Sequence, residues 1–315
     1  MDTLESLRRK IEGANDLKSV VRTMKAMAAS NIGQYEMAVS SLNDYYRTIE
    51  LGIIAYFRHE KIDTLSEKKD SIKEDEKQIC AIVFGSDQGL VGQFNDSLAE
   101  FVVHSFNDLP GKKEIWVVGE RVQLLFSDMG HNTTKLFRVP NSVHAITSLV
   151  QQILIKGEES YELDNRKEVY VFHNRSKTKT GYEPVYMRLL PLDEKWRHSL
   201  TELNWPSRKI PEIIGGIKPT LMVLIHAYLF TSLFKACAES LASENESRFA
   251  AMQRAEKTID ELMDDLNRMF HSLRQNSIDE ELFDVESGFE ALKEDELNQI
   301  VKNNLFSQKE KEVCN

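Results

Sequence analysis

The residues best suited to chemistry form a glycine-rich loop at positions 85–95. The loop reads GSDQGLVGQFN and follows a continuous apolar run at 79–84. A strand followed by glycines and a helix start can hold phosphate, because main-chain N–H groups point at the ligand there. The spacing G-x-x-x-G-x-x-G, however, lacks the G-K-[ST] of a P-loop and differs from G-x-G-x-x-G. A structural turn and a phosphate site both remain open, and the spacing favours the turn.

Other arrangements of reactive residues do not form a recognisable site. The eight histidines are scattered without an H-E-x-x-H pattern, and no G-x-S-x-G sequence occurs. The three cysteines (Cys80, Cys237 and Cys314) are too far apart to indicate metal binding or a disulfide framework. The acidic pairs at 264–265 and 280–281 fit solvated helix surfaces. We therefore predict no catalytic residue, no cofactor and no metal site in this chain.

The N-terminal region has the pattern of a long coiled-coil helix. Apolar residues recur at an average spacing of 3.5 residues, which is typical of a left-handed coiled coil and here predicts a rod of roughly 80 Å. Only Lys18 and Lys25 interrupt this column. Its members are Leu4, Leu7, Ile11, Ala14, Lys18, Val21, Lys25, Ala28, Ile32, Tyr35, Val39, Leu42, Tyr46, Ile49, Ile53 and Tyr56.

A second column of the same spacing begins at Thr220, and no helix breaker occurs before Glu286. It predicts a rod of roughly 100 Å, interrupted by Asn245 and Arg248. Two long helices at the two ends of a chain indicate an antiparallel coiled coil with an inserted domain. Two buried helices of a large globular domain are the alternative, although such helices usually run 8–20 residues. The column is Leu224, Ala227, Thr231, Phe234, Ala238, Leu241, Asn245, Arg248, Met252, Ala255, Ile259, Leu262, Leu266, Met269 and Leu273.

The middle of the chain alternates strand and helix patterns. The predicted fold is an α/β insert domain, with a largely parallel sheet and a terminal hairpin, on a long antiparallel α-helical coiled coil. The predicted organisation has six parts: 1–58 N-terminal coiled-coil helix, 59–78 charged linker, 79–190 α/β domain, 191–219 irregular return segment, 220–290 C-terminal coiled-coil helix and 291–315 polar C-terminal extension.

Composition excludes several classes of function. The 315 residues carry 40 Lys and Arg against 50 Asp and Glu, a net charge of −10. This balance argues against a nucleic-acid binder and against attachment to anionic lipid. The charged N-terminus lacks the apolar core of a signal peptide, and the apolar run at 221–230 is too short to span a bilayer. We expect a soluble protein of a reducing cytoplasm.

Three stretches together resemble the gamma subunit of rotary F-type ATP synthases. The first joins Leu7–Ile11 with Thr23–Ser30, the second is the loop Ser86–Asn95, and the third joins Glu239–Met252 with Arg274–Ile278. The resemblance spans residues 1–291 in the same order and spacing as the family.

Two shorter stretches bear on the branch of that family. Residues Val20–Ala26 and Asp44–Thr48 are more similar to the alternate, sodium-type branch (the N-ATPases) than to the standard branch.

The resemblance implies the same architecture and a mechanical role. In the family this subunit is the central shaft, which turns inside a ring of alpha and beta subunits and couples ion flow to ATP synthesis or hydrolysis. Its foot sits with the epsilon subunit on the membrane ring of c subunits. The chain would then be a non-catalytic subunit at the cytoplasmic face of the cell membrane, in a peripheral position, without nucleic acid as a partner.

The same resemblance implies five residues that contact the beta subunits. Met24 and Lys25 match the position that faces the beta-subunit lever, and Arg248 matches an arginine of that zone. Arg274 and Gln275 match the pair that reaches a beta-subunit catch loop. Arg248 also lies on the heptad column, where a buried charge requires a partner. A glutamate such as Glu12 or Glu244 could satisfy it there, but the resemblance favours the beta-subunit contact.

The chain departs from the family at two places. Asp279 stands where the family often has threonine, and the chain runs past the usual family end through a charged segment to Asn315. That segment could be disordered or regulatory. The α/β domain contains no pair of cysteines, so we do not expect control by thiol oxidation.

A coiled-coil tether or adaptor with no rotary role is the competing interpretation. It explains the two long helices and the lack of catalytic groups, but not the Arg274-Gln275 pair or the glycine loop. The partner that the chain binds discriminates between the two functions.

Overall fold

The computed structural model describes residues 3–59, 78–107, 109–163, 167–177, 181–192, 196, 212–214 and 216–313. Most of the predicted linker at 59–78 and much of the return segment at 191–219 lie outside these residues. The elements in chain order are α1 (Leu4–His59), β1 (Gln78–Phe84), α2 (Phe94–Asn107), β2 (Lys112–Val118), α3 (Glu120–Asp128), β3 (Lys135–Phe137), α4 (Val143–Leu163), β4 (Lys167–Lys177), β5 (Gly181–Leu190) and α5 (Ile217–Val313).

The chain divides into two compact units. Residues 1–22 and 255–315 form one, called here the terminal unit, and residues 23–254 form the other, called the central unit. The two long helices α1 and α5 each contribute to both units.

Helix α1 buries every seventh residue over much of its length. The buried positions are Leu7, Ala14, Val21, Ala28 and Tyr35, each at most 7 % exposed. The intervening members of the predicted column, including Lys18 and Lys25, are half-buried. This is the repeat expected of a coiled-coil seam, in which one position per heptad faces the partner most directly.

The terminal unit contains an antiparallel helix pair. Lys18 of α1 forms an ion pair with Asp260 of α5, and Arg22 Nε lies 2.7 Å from Glu256 Oε1. The later residue on α1 pairs with the earlier residue on α5, so the helices run in opposite directions. Lys18 can therefore occupy the apolar column, because its stem lies along the seam while its ammonium group reaches a carboxylate.

The central unit shows the same antiparallel pairing. Asn31 Nδ2 donates to Asn245 Oδ1 at 3.3 Å, and the rings of Tyr46 and Tyr228 have centroids 5.6 Å apart. A polar pair within an apolar seam favours one register over others, because any slip would bury the two amides without partners. The predicted antiparallel coiled coil is thus confirmed, and Asn245 interrupts its column for a structural reason.

The second predicted column is wrong near its end. Leu262 and Met269 are each 50 % exposed, whereas Met263 and Phe270 are half-buried and Leu266 is buried. A straight α-helix has 3.6 residues per turn, so it drifts by about 20° per heptad away from a 3.5-residue repeat. Over this part of α5 the contact face has shifted by about one position along the sequence.

Helix α5 continues beyond the predicted end at residue 290. Its backbone is helical through Val313. The sequence after Gly288 contains neither proline nor glycine and is rich in glutamate, lysine and leucine, which favour helix. The 291–313 backbone is therefore helical, and a regulatory role for this segment remains a prediction.

The α/β domain contains one five-stranded sheet of order β3-β2-β1-β4-β5. Strands β1, β2, β3 and β4 pair in parallel, and β4 pairs with β5 as an antiparallel hairpin. This confirms the predicted largely parallel sheet. The predicted hairpin is formed by these last two strands, of which β4 ends at Lys177 and β5 begins at Gly181.

Strand β1 is buried on both faces, as its continuous apolar run predicts. Ile79, Ala81 and Val83 pack in a cluster with α2 and α3. The alternate residues Cys80, Ile82 and Phe84 pack with α4 and with residues of the long helices. The sheet is therefore a middle layer, and its second face attaches the α/β domain to the helix pair of the central unit.

One stretch of α5, within Pro219–Glu290, is long and apolar enough to cross a membrane by length and composition. The apolar stretch is therefore longer than the run at 221–230 that the sequence analysis judged too short to span a bilayer. Of the 18-residue window that meets this criterion, 44 % is buried inside the protein.

Candidate functional site

The glycine loop uses its polar groups to hold itself together. Ser86 N donates to Asn95 Oδ1 at 3.0 Å, and Asn95 Nδ2 donates to Ser86 Oγ at 2.8 Å. Ser86 Oγ donates in turn to the carbonyl of Gln88 at 2.9 Å. Both side chains are buried. The two ends of the loop are thus joined at the start of α2.

Asp87 of the glycine loop accepts hydrogen bonds from main-chain N–H groups of two other segments. Its Oδ1 accepts from Glu120 N at 2.9 Å, at the first residue of α3, and its Oδ2 accepts from Val139 N at 3.1 Å. The carboxylate therefore accepts a hydrogen bond at the N-terminus of α3 and places a negative charge there. These contacts support the structural turn over the phosphate site.

Helix α5 presents a row of serines to the α/β domain. Ser240 Oγ donates to the carbonyl of Phe84 at 2.8 Å, and Ser243 Oγ donates to that of Asn174 at 3.2 Å. Ser247 Oγ donates to the carbonyl of Val91 in the glycine loop. All three serines are buried. Their spacing of three and four residues puts them on one helix face.

A buried acid–base pair lies beside this row. His173 Nε2 of β4 lies 2.7 Å from Glu239 Oε2 of α5, and the two side chains are 6 % and 16 % exposed. Burial opposes the charged form of Glu239, but the hydrogen bond and charge of His173, with Lys235 and Arg175, outweigh it and lower the pKa of this carboxyl. Glu239 is therefore a charged group held inside the protein by its partners.

Arg248 is paired within the chain. Its Nη2 lies 2.7 Å from Glu244 Oε1, and the side chains are 13 % and 7 % exposed. This is the intrachain pairing with Glu244 that the heptad position allows. Burial raises the pKa of Glu244, although the charge and hydrogen bond of Arg248 lower it. Arg248 Nε and Glu244 Oε2 are buried without a hydrogen bond among the described atoms.

Met24 and Lys25 are half-buried at the edge of the seam in the central unit. In the antiparallel register fixed by Asn31 and Asn245, they lie level with residues near 251 and 252 of α5. Arg248 lies about one helical turn before these residues on that helix. The structure thus brings these three predicted residues to one region of the helix pair. Met27 is 62 % exposed on the same stretch of α1.

Arg274 and Gln275 are exposed residues of the terminal unit. In the register of the pairs Lys18–Asp260 and Arg22–Glu256, the first residue of α1 lies level with residue 274. The part of α5 beyond this point, called here the overhang (residues 275–290), therefore extends past the start of α1. The five predicted residues thus divide between the two units.

The overhang is both apolar and acidic. Its large apolar side chains are 47–71 % exposed, namely Ile278, Leu282, Phe283, Val285 and Phe289. Residues 276–290 also contain six acidic residues and no Lys, Arg or His. An exposed apolar stripe of this length indicates a binding surface.

Groups suited to redox or metal chemistry are few in the described part of the chain. Cys80 and Cys237 are buried and are not joined in a disulfide, and burial raises the pKa of the Cys237 thiol. Among the described residues, no group of three or more His, Cys, Asp or Glu is arranged to hold a metal ion.

Comparison with known proteins identifies the family. A family model described as ATP synthase matches residues 3–292. The chain is 24 % identical over 287 residues to the ATP synthase gamma chain of Hydrogenobaculum sp., covering 91 % of this chain and 97 % of the relative. It is 26 % identical over 301 residues to the gamma chain of Sulfurihydrogenibium sp., with the same coverage. The chain belongs to the ATP synthase gamma-chain family.

Two solved structures contain chains of similar fold. A chain of the Tetrahymena thermophila mitochondrial ATP synthase, from a structure of its central stalk and c-ring, matches with a TM-score of 0.53 and 18 % identity, covering 75 % of this chain and 99 % of that one. A rotor chain of the Euglena gracilis enzyme matches with a TM-score of 0.58 and 14 % identity, covering 87 % and 98 %. The family fold is therefore present over most of the chain.

Sequence reasoning did not recognise the contacts of the serine row and of His173. Most of the residues that make these contacts lie in the stretch 239–252. That stretch indicated the family by its resemblance, but the resemblance did not predict the contacts. A signal was available, since Ser240, Ser243 and Ser247 repeat at helical spacing on a face next to the apolar column. Small polar residues in that pattern indicate close packing against another element's main chain.

Proposed function

We propose that the chain is the central rotary shaft of an F-type ATP synthase, coupling ion flow through a membrane c ring to ATP synthesis or hydrolysis. Its partners would be the alpha and beta subunits of the hexamer, the epsilon subunit and the c ring. It would act at the cytoplasmic face of the cell membrane, without a catalytic site of its own. The match to the gamma-chain family over residues 3–292 is the observation that supports this function.

The overhang supports the same proposal. An exposed apolar helix segment beyond the start of α1 suits insertion into a ring of partner subunits. Its six acidic residues without a basic one add a specific expectation. The partner surface should carry lysine or arginine around an apolar centre, because unpaired carboxylates would otherwise lose hydration on binding.

The coupling would work through contacts that differ between the beta subunits. One chain in a threefold ring presents a different face to each of three chemically identical neighbours. Moving a site from 1:99 to 99:1 between two conformations requires about 5.5 kcal/mol of differential binding. A few charge-assisted hydrogen bonds, at about 1.5–3 kcal/mol each, could supply it. By linkage, nucleotide binding would then drive rotation as strongly as rotation changes nucleotide affinity.

Reconstitution tests the shaft function directly. The full chain is mixed with the cognate alpha and beta chains, and native mass and ATP hydrolysis are measured. One copy per hexamer, with a rise in hydrolysis on addition, is the expected result. Failure to assemble with folded partners would overturn the shaft function and favour a coiled-coil tether or adaptor.

Replacing Arg274 and Gln275 together with alanine tests their contact with the beta subunits. Both side chains are exposed, so folding should change by less than about 0.5 kcal/mol. Loss of one charge-assisted hydrogen bond at about 1.5–3 kcal/mol would slow ATP-driven turnover by roughly tenfold or more. Hydrolysis and ion pumping of the assembled complex provide the measurement.

Arg268→Ala provides the matched control for that variant. Arg268 is also exposed on α5 and pairs with Asp265 at 2.7 Å within its own helix. Normal turnover is expected for this control. The beta-subunit assignment would be rejected if the double variant hydrolysed ATP and pumped ions as the wild type does.

A further inference from the structure

Helix α5 is buried on two different faces within the central unit. One face carries Phe234, Ala238 and Leu241, which share an apolar cluster with Tyr35 of α1, and Asn245, which pairs with Asn31 of α1. The neighbouring face carries Glu239, Ser240, Ser243 and Ser247, which contact the α/β domain. This second set, together with Phe84, Val91, His173 and Asn174 of the α/β domain, is called here the polar joint.

The hydroxyl contacts of the polar joint are directional and come from three separate places. Ser240 reaches the end of β1, Ser243 reaches β4, and Ser247 reaches the glycine loop. From the first to the last serine the contacts extend about 10 Å along the helix axis. A rotation or slide of α5 against the sheet would break all three hydrogen bonds together.

The His173–Glu239 pair strengthens the same attachment. His173 and Glu239 connect β4 to α5 at 2.7 Å inside the protein. Lys235 and Arg175 are the other charged groups that act on Glu239. Asn174, next to His173, donates from Nδ2 to the carbonyl of Phe94 at 2.9 Å, which ties the polar joint to the start of α2. At the outer edge, Ser176 Oγ donates to Glu246 Oε1 at 2.7 Å.

Apolar contacts alone would resist rotation less well. Hydrophobic attraction is non-directional, so two apolar faces can shift past each other while remaining buried. Buried hydrogen-bonding groups cannot shift in this way, because a displaced donor or acceptor is left without a partner and without water. The polar joint therefore adds resistance to sliding that the neighbouring apolar clusters do not supply.

We propose that the polar joint transmits torque between the α/β domain and the α1–α5 helix pair. The inference rests on the proposed shaft function, in which the helix pair turns within the hexamer and the α/β domain belongs to the foot. Ser240, Ser243, Ser247, Glu239 and His173 are then positioning residues for energy coupling. Their loss allows the helix pair to turn without carrying the α/β domain with it.

The test uses the triple variant S240A/S243A/S247A in the complete complex, reconstituted in vesicles with its cognate subunits. ATP hydrolysis and ion pumping are measured on the same preparation. Loss of pumping with hydrolysis retained is the expected result. A bead attached to the α/β domain, with the hexamer immobilised, gives a second measure. In the triple variant the bead should rotate more slowly than the rate of ATP hydrolysis predicts.

Thr231→Val is the matched control. Thr231 is buried on the same helix, but its hydroxyl donates to the carbonyl of Ala227 within that helix, at 2.6 Å. This variant removes a buried hydroxyl from α5 without touching the polar joint, so its ratio of ions pumped to ATP hydrolysed should equal that of the wild type. A general loss of stability would affect assembly in both variants and leave that ratio unchanged.

A second variant keeps the test decisive if the triple variant does not fold. His173→Gln with Glu239→Gln preserves hydrogen-bonding side chains of similar size and removes the charge, and it too should lower the pumping ratio. If the wild type couples normally and the folded variants couple equally well, the polar joint is not the torque path. If the wild type itself neither assembles with the hexamer nor pumps, the proposed function fails first.

Discussion

Replacing Gly119 with alanine is expected to lower the free energy of unfolding by about 3 kcal/mol or more. Gly119 has φ 120°, a conformation that residues with a side chain rarely adopt. An added Cβ would lie 2.6 Å from Ser86 O and 2.8 Å from Ser86 C. These are main-chain atoms, and the loop cannot move aside easily, because Asn95 and Arg121 N also bind Ser86.

Two other glycines separate the causes of that loss. Gly130 has φ 78°, but an added Cβ there would meet nothing within 4 Å, so Gly130→Ala should show the conformational cost alone, about 1 kcal/mol. Gly157 lies within α4 with open space around it, and alanine there should stabilise by about 0.5–1 kcal/mol. Chemical denaturation of the full-length variants measures all three. Equal losses at Gly119 and Gly130 would mean that the close approach to Ser86 carries no cost.

Replacing Arg248 with methionine is expected to cost about 3–5 kcal/mol, because it leaves the buried carboxylate of Glu244 without its partner. Methionine is long and flexible enough to keep much of the packing. The variant should also change the pH dependence of stability. Burial already raises the pKa of Glu244, and removal of the guanidinium takes away the main influence that lowers it.

The sign of the pH effect follows from that direction. A carboxyl whose folded-state pKa is raised contributes stability that is fully present below its unfolded pKa, about 4.3, and is lost as pH rises through the folded pKa. The difference in unfolding free energy between wild type and Arg248→Met should therefore be large at neutral pH and smaller in acid. A difference that does not vary with pH would contradict an unpaired Glu244 as the cause.

The double variant R248M/E244Q separates folding from partner contact. It removes both charges, so most of the lost stability should return. If Arg248 also contacts a beta subunit, this double variant should still couple ATP hydrolysis to ion pumping poorly in the reconstituted complex, although its stability is restored. Normal coupling in a stable double variant would leave Arg248 with a structural role only.

The fold follows from the sequence to a large extent, because its strongest signals are periodic. The 3.5-residue spacing predicts both long helices, and the antiparallel pairing then follows from their positions at the two ends of the chain. The column fails at Leu262 and Met269, where the drift of a straight helix moves the contact face. The end of α5 differs from the prediction as well, because the polar composition of 291–313 suggests a change of structure while its residues still favour helix.

The functional residues are harder to predict, because their roles depend on contacts between elements distant in sequence. Arg248 can be assigned to a narrow choice of partners, and the structure pairs it with Glu244. The polar joint is not recognisable in this way, since Ser240 and Phe84 are 156 positions apart. Periodicity reports which face of a helix is buried, but not which main-chain carbonyls that face will meet.

The burial of every seventh residue in α1 also restricts how the length of this chain can vary. A one-residue insertion between Leu7 and Tyr35 would turn all later side chains by about 100° about the helix axis. Insertions or deletions of seven or eleven residues would keep the seam nearly in place, within about 20°. Length differences between relatives should therefore accumulate at loops and ends, and the residues of this chain beyond the family match lie at such an end.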